Sequence, residues 1–196
     1  MALKLSRKEL SYYRDKITDF ISAYLSDSGL NGALVALSGG VDSALVAKLA
    51  HEALSDKLYA LILPEEGVSD PGDLEDARQL AERLGIGYDI IRINPALEGI
   101  KRCYPKLAHD KENEKLAWAN VKPRVRMIIN YITANLSDRL VLGTGNKTEV
   151  ILGYYTKLGD GGVDILPIGD LYKTQVRQLA MYVGVDKAIV DKTPSA

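Results

Sequence analysis

Apolar positions along the chain alternate between short continuous runs and longer stretches of helical period. The runs Ala33-Leu34-Val35-Ala36-Leu37 and Leu58-Tyr59-Ala60-Leu61-Ile62-Leu63 are too short for helices and have the character of strands covered on both faces. Tyr88-Asp89-Ile90-Ile91-Arg92-Ile93 and Arg139-Leu140-Val141-Leu142 read as two further strands. Residues 8–25 set Tyr12, Tyr13, Ile17, Phe20, Ile21, Tyr24 and Leu25 at helical spacing. The tyrosines are expected to pack that helix onto the sheet, the other reading being that some line a ligand or subunit surface. Residues 73–84 form a helix stopped by Gly85, and 95–104 a short helix. Residues 111–136 read as a longer helical region interrupted near Pro123, with a new helix expected to begin near Lys122. A last helix is expected over 171–183, capped by Asp170 and ended by Gly184.

Strands alternating with helices imply crossover connections, hence an α/β fold with a parallel sheet of about five strands flanked by helices. Such sheets bind ligands beyond the carboxyl ends of their strands. The loops after Leu37 and Leu63 would share that edge.

The chemistry concentrates there. Ser38-Gly39-Gly40-Val41-Asp42-Ser43 joins a strand to a helix start, where glycines admit positive φ and the unpaired N–H groups of the helix form an anion site. Ser38 and Ser43 can donate to phosphate oxygens, whereas Asp42 beside a phosphate is repulsive unless a divalent cation bridges them. The loop therefore implies a nucleotide with Mg2+. No lysine follows the glycines, so this is not a Walker loop. Gly143-Thr144-Gly145-Asn146-Lys147-Thr148-Glu149 repeats the pattern after the fourth strand. Glu149 either supplies a second carboxylate for the ion or is exposed on a helix surface. Lys173, in the first turn of the last helix, opposes the helix dipole, a conflict an anionic ligand would resolve. Arg124 and Arg126 lie two apart, point in different directions and are expected to take separate partners as surface salt bridges.

Composition narrows the class. At 196 residues, 46% hydrophobic and 26% charged, the chain has the make-up of one globular domain. Its 25 basic and 26 acidic side chains leave no excess that would signal long nucleic acid, so no nucleic-acid partner is expected. No apolar run approaches the roughly 20 residues of a membrane span, and no signal-peptide core is present, so a cytoplasmic location with no membrane partner is expected. The single cysteine, Cys103, excludes an intramolecular disulfide and is read as a packed small side chain.

Ser-Gly-Gly-x-Asp-Ser after a strand resembles the pyrophosphate loop of the ATP pyrophosphatases, which cleave ATP to AMP and pyrophosphate. Alone, that loop suits GMP synthetase, argininosuccinate synthetase or a tRNA-thiolating enzyme equally. The run from Gly143 to Glu149, followed by Gly153-Tyr-Tyr-Thr-Lys-Leu-Gly-Asp-Gly-Gly-Val-Asp-Ile-Leu-Pro-Ile-Gly-Asp-Leu-Tyr-Lys-Thr-Gln175, is similar to NAD synthetase in particular. The resemblance covers essentially the whole chain and implies a single domain over 1–196 of the adenine nucleotide alpha hydrolase-like, Rossmann-like fold. It also implies ammonia-dependent amidation of deamido-NAD, with ATP as co-substrate and Mg2+ as cofactor.

By resemblance, Ser38, Gly39, Gly40, Val41, Asp42 and Ser43 hold ATP phosphates, Thr144 and Lys173 contact ATP, and Asp42 and Glu149 bind the metal. The catalytic set it implies is Asp42, Glu149 and Lys173. Ser195 stands where the family usually has a threonine touching ATP, and Arg124, Lys157, Asp160 and Asp164 match positions contacting deamido-NAD. The family forms homodimers with deamido-NAD at the subunit interface.

Two departures stand out. The family's Gly-Asn-x-x-Ala-Arg reads Ala119-Asn120-Val121-Lys122-Pro123-Arg124 here. The family also continues past the position of Ala196 into a loop over the phosphates and a segment with further substrate contacts, so the resemblance implies a shortened and inactive chain as one outcome. A fused glutaminase domain has no room, which leaves free ammonia or a separate partner to supply nitrogen. Another ATP pyrophosphatase acting on tRNA or a different carboxylate, and a nucleotide-binding module without turnover, are the competing readings.

Overall fold

The computed structural model describes residues 4–104 and 112–192. Four parallel strands, β1 (Gly32–Ala36), β2 (Leu58–Ile62), β3 (Gly87–Ile90) and β4 (Arg139–Leu142), form one sheet in the order β3-β2-β1-β4. Ala36 lies opposite Leu61 on one side of β1, and Val35 opposite Leu142 on the other. The chain steps from β1 outward to β2 and β3, then returns to place β4 on the far side of β1. The crevice between the carboxyl ends of β1 and β4 is thus the topological switch point, where open α/β sheets bind ligands.

The four strands read from the sequence are present; a fifth is absent among the described residues. A single parallel bridge, Leu142 to Ile165, stands in its place. Asp164 explains why pairing goes no further: its Oδ2 accepts from the Val141 N–H at 2.7 Å, a donor a neighbouring strand would otherwise use. Pro167, two residues beyond the bridge, has no N–H to continue a ladder.

Helices cover both faces. Strand alternation turns Ala33 and Val35 into the core beneath α1 (Arg7–Ser28), α2 (Val41–Leu54), α3 (Pro71–Leu84), α7 (Lys173–Tyr182) and the short α8 (Lys187–Val190). Leu34, Leu61 and Val141 face the opposite core with Leu97 of α4 (Asn94–Cys103) and Val125 and Ala134 of α5 (Glu112–Ser137). The sixth helix, α6 (Lys147–Leu152), follows β4 at the ligand edge.

Several expectations require correction. Helix α5 runs unbroken through Pro123. Trp118, Val121, Val125 and Ile129 form one stripe along it against the second core, and that packing outweighs the hydrogen bond the proline removes. Asp170 does not cap α7, which starts at Lys173; the Tyr172 N–H instead donates to the Gln175 side chain at 2.9 Å. On α1, Ile17, Ile21 and Leu25 face the core, while Tyr12, Phe20 and Tyr24 lie on the exposed side; Tyr13 alone of the three tyrosines packs inward. Cys103 is exposed. It lies six residues past the buried Leu97, about 240° round the helix and so away from the core. Among the described residues no helix is long and apolar enough to cross a membrane.

Candidate active site

The loop after β1 is a tight turn held by its own hydroxyls. Gly39 has φ +79°, and a Cβ built on it would lie 2.3 Å from the Asp73 carbonyl oxygen, so glycine is required both by conformation and by the closeness of α3. The Ser43 Oγ accepts from the Ser38 N–H at 3.2 Å and donates to the Gly40 carbonyl at 3.0 Å, while the Ser38 Oγ accepts from the Gly40 N–H at 3.3 Å. Gly40 is the N-cap of α2, and no side chain caps that helix. Its first-turn donors point out of the sheet edge as an anion site.

The loop after β4 begins in the same way but ends differently. Asn146 caps α6: its Oδ1 accepts from the Glu149 N–H at 3.2 Å, and Glu149 Oε2 accepts from the Asn146 N–H at 3.1 Å. This closed capping box satisfies the helix start internally. Asn146 is 0% exposed, and its Nδ2 reaches across the switch point to Asp42 Oδ1 at 3.1 Å. The Lys173 ammonium meets the other Asp42 oxygen. The conflict of a lysine at a helix N-terminus is thereby resolved by a carboxylate of the fold itself. The Lys173 N–H donates to Thr148 Oγ1 at 3.1 Å and the Lys147 N–H to the Leu171 carbonyl at 2.9 Å, which stitches α7 to α6. Thr144 lies half-buried between β4 and this network.

Three residues expected to act together therefore converge. Asp42 binds Lys173 directly and shares Asn146 with Glu149. Burial pushes the Glu149 carboxyl above the usual range; the Asn146 bonds and Lys173 pull it back, and the Asp42 charge adds to the rise. Two half-buried carboxylates joined through Asn146, with the Lys173 ammonium on Asp42, are donors of the type a hard divalent cation takes. Mg2+ takes one or two carboxylates and fills its other positions with water and phosphate oxygens, so the absence of a larger acidic cluster among the described residues is no obstacle.

A second group surrounds the middle of α5. Arg124 Nε donates to the Lys157 carbonyl at 3.3 Å, Asp160 Oδ1 accepts from the Thr156 N–H at 2.7 Å, and Thr156 Oγ1 donates to Asn120 at 2.8 Å. Arg124 and the Lys157 and Asp160 side chains are exposed along this ridge. Asp164 is more committed to the fold, since its second oxygen accepts from the Tyr131 hydroxyl at 2.8 Å. Burial, aided by that bond, pushes the Tyr131 phenol up. Ser195 lies outside the described residues.

Arg124 and Arg126 take separate partners as expected, but among the described residues neither forms a surface ion pair: Arg124 bonds a backbone carbonyl, and so does Arg126. Its Nε donates to the Leu63 carbonyl at 2.9 Å, and burial lowers its pKa against the opposing charge of Glu65. Glu65 is only 9% exposed and meets Lys122 Nζ at 2.7 Å. Lys122 and Arg126, one turn apart on α5, thus grip the loop that follows β2. Asn146 and this grip were missed from the sequence. The signals were present: Asn-x-x-Glu before an apolar run reads as a capping box, and the Lys122–Arg126 spacing places two cations on one helix face.

A glycine turn and an uncapped helix start at the switch point of a parallel sheet, facing a carboxylate pair and a lysine, define a nucleotide-binding α/β protein of the adenine nucleotide alpha hydrolase fold. The chain belongs to the NAD synthase family, whose profile matches residues 13–196. It is 54% identical over 183 residues to the NH(3)-dependent NAD(+) synthetase of Archaeoglobus fulgidus, covering 93% of this chain and 72% of that protein. The corresponding protein of Methanococcoides burtonii is 45% identical, with 93% and 68% covered. Among solved structures, the NH3-dependent NAD synthetase of Campylobacter jejuni in complex with the nitrate ion superposes with a TM-score of 0.85 at 34% identity, covering 95% of this chain and 79% of that one. The NMN synthetase of Francisella tularensis gives 0.86 at 37% identity, with 98% and 76% covered.

Proposed function

We propose that this protein is an ammonia-dependent NAD synthetase, joining ammonia to deamido-NAD at the expense of ATP. The observation that carries the reading is the meeting of Asp42, Lys173 and the Asn146–Glu149 cap beside the uncapped start of α2. Ser38, Gly39, Gly40, Val41, Asp42 and Ser43 receive the ATP phosphates, with Thr144 and Lys173 beside them; Arg124, Lys157, Asp160 and Asp164 receive deamido-NAD. Asp42 and Glu149 would hold Mg2+, which supplies charge neutralisation for the phosphates when bound.

The nicotinate carboxylate of deamido-NAD attacks the α-phosphorus of ATP and pyrophosphate leaves. Ammonia then attacks the acyl carbon, and AMP departs as the amide forms. Both steps build negative charge on phosphate oxygens, and the protein answers with oriented N–H groups at α2 and the Lys173 ammonium. Its remaining work is alignment of the two nucleotides, with no covalent nucleophile required. Lys173 is placed to turn from Asp42 toward arriving phosphate oxygens, and Asp42 would then be free to hold Mg2+.

The location proposed is the cytoplasm, and the assembly a homodimer. Ile128, Ile132 and Leu136 recur every fourth residue on the exposed face of α5 and supply an apolar stripe suited to a second copy.

The assay combines protein, ATP, Mg2+, ammonium and deamido-NAD, with NAD and AMP measured together. Equal amounts of both are expected. AMP formed only when RNA is added would sink the reading, as would ATP binding without turnover in a chain extended to the full length of its relatives. Nicotinate mononucleotide belongs in a parallel tube, because the Francisella relative is named for that product; turnover confined to that tube would replace deamido-NAD as the substrate.

A further inference from the structure

Lys192 lies remote from the phosphate loop in sequence, yet it is tied at both ends to the elements that shape that loop. Its Nζ meets Asp73 Oδ1 at 2.6 Å and also meets the Asp76 carboxylate. Its carbonyl accepts from Arg177 Nη2 at 3.4 Å. Among the described residues the buried Arg177 Nε has no hydrogen-bond partner, and the guanidinium reaches this segment through Nη2. Arg177 stands one turn beyond Lys173 on α7 and shares its face, so one helix carries both the lysine that meets Asp42 and the arginine that holds Lys192.

The acidic side of the contact is equally constrained. Asp73 and Asp76 are three residues apart on α3, hence neighbours on one face, and two half-buried carboxylates there repel one another without a cation. Asp73 is also the residue whose backbone touches Gly39, with its carbonyl oxygen, Cα and carbonyl carbon all within 3 Å of where a Cβ would be. The first turn of α3 is therefore the wall against which the phosphate loop is formed, and a displacement of that turn is transmitted to the loop by direct contact.

We propose that Lys192 is a positioning residue: by neutralising Asp73 and Asp76 it pins the start of α3 against Gly39 and so holds residues 38–43 in the shape that receives ATP phosphates. The claim rests on the reading of that loop as a phosphate site. It adds that the loop's order depends on an ion pair formed with the far end of the described chain. Loss of the ammonium frees two like charges, the α3 start relaxes outward, and the loop amides lose alignment.

Two measurements on the intact protein test this. Hydrogen exchange of Lys192→Ala is compared with the parent at residues 38–43 and at β1 amides. Exchange about 10-fold faster in the loop, with β1 unchanged, is expected for a local opening. In parallel, calorimetric titration with MgATP is expected to show affinity about 10-fold weaker, within the range that ångström-scale misplacement produces. Lys192→Arg keeps the charge and should restore both readouts to within about threefold of the parent. Unchanged loop exchange in Lys192→Ala overturns the proposal, as does acceleration of loop and β1 together, or an arginine variant no better than alanine. If the loop opens as expected but the parent binds no MgATP, the pinning stands and the nucleotide reading falls.

Discussion

The two glycine turns at the ligand edge share a grammar and differ in how their helices begin. After β1, the N-cap is Gly40, which offers no side chain, and the start of α2 is left to whatever anion arrives. After β4, Asn146 and Glu149 close the start of α6 on itself, and the structure leaves a carboxylate standing where the first turn leaves donors. The first turn leaves backbone donors open beside its own carboxylate, Asp42, whereas the second closes its donors and presents only the Glu149 carboxylate. The switch-point topology faces them across the gap between β1 and β4, and Asn146 joins them through Asp42. A metal–nucleotide needs both, because phosphates seek donors while the cation accompanying them seeks carboxylates.

The largest break in that pairing is Asp42→Asn. Asparagine retains the size and the acceptor for Asn146 but removes the charge that faces Lys173 and that would face a bound Mg2+. NAD formation is expected to fall about 10³-fold, the upper range for losing one electrostatic contributor. Stability should change little, since no core contact is lost. The check is NAD formation at saturating Mg2+ alongside a urea titration; activity within tenfold of the parent would remove Asp42 from the site.

Glu149→Gln separates the two jobs of the second turn. Glutamine still closes the capping box, so α6 should persist, while the charge is gone. Burial raises the Glu149 carboxyl, so the native state takes up this proton at a higher pH than the unfolded chain. Stability associated with that proton is present below the unfolded pKa and lost as pH rises through the native one. At pH 7 without metal the charged form is a cost, and the variant should melt higher than the parent, by a margin that shrinks on acidification. NAD formation should nonetheless fall about 100-fold. A variant that melts lower at pH 7 would show that the carboxylate stabilises the fold.

Asn146→Ala acts on the same cap in the opposite sense. It leaves the Glu149 N–H and one Asp42 oxygen, both half-buried, without this partner, and should cost about 2 kcal/mol, the upper range for an N-cap. Equilibrium unfolding in urea measures it, and a loss under about 0.5 kcal/mol would mean the two turns are not coupled through this side chain.

These side chains also mark where the sequence was readable and where it was not. Local signals came through: Gly85 ends α3 with φ +67°, apolar runs became strands, and the glycine turn lies at the carboxyl end of β1 before α2. Glu149 and Lys173 were suspected from single conflicts, a carboxylate near a phosphate site and a cation at a helix start. Their common partner was harder to see, because Asn146 and Asp42 are 104 residues apart and Lys173 and Asp42 131 apart. Crossover topology, which no local pattern encodes, brings them together. Pro123 failed as a helix breaker because the apolar stripe on α5 has a core to bury against, and propensity yields to that. The fifth strand failed because a side chain, Asp164, took a donor that backbone pairing required.

The smallest expected effect concerns Asp170, which by sequence pattern looked like the third helix start of this edge. Its position before an apolar helix suits a cap, yet α7 begins three residues later and its entry is held by Gln175. The carboxylate is fully exposed, with Lys147 near it at 3.8 Å. An ion pair so exposed contributes little. Asp170→Ala should therefore alter stability by no more than about 0.5 kcal/mol and leave NAD formation unchanged, whereas Gln175→Ala, which removes the partner of the Tyr172 N–H in a part-buried bond, should cost about 1 kcal/mol. Urea titration of the two variants side by side decides which residue starts α7. A greater loss from Asp170→Ala would mean that this third turn is closed by its aspartate as the second is by Asn146, and that only the turn after β1 is left open.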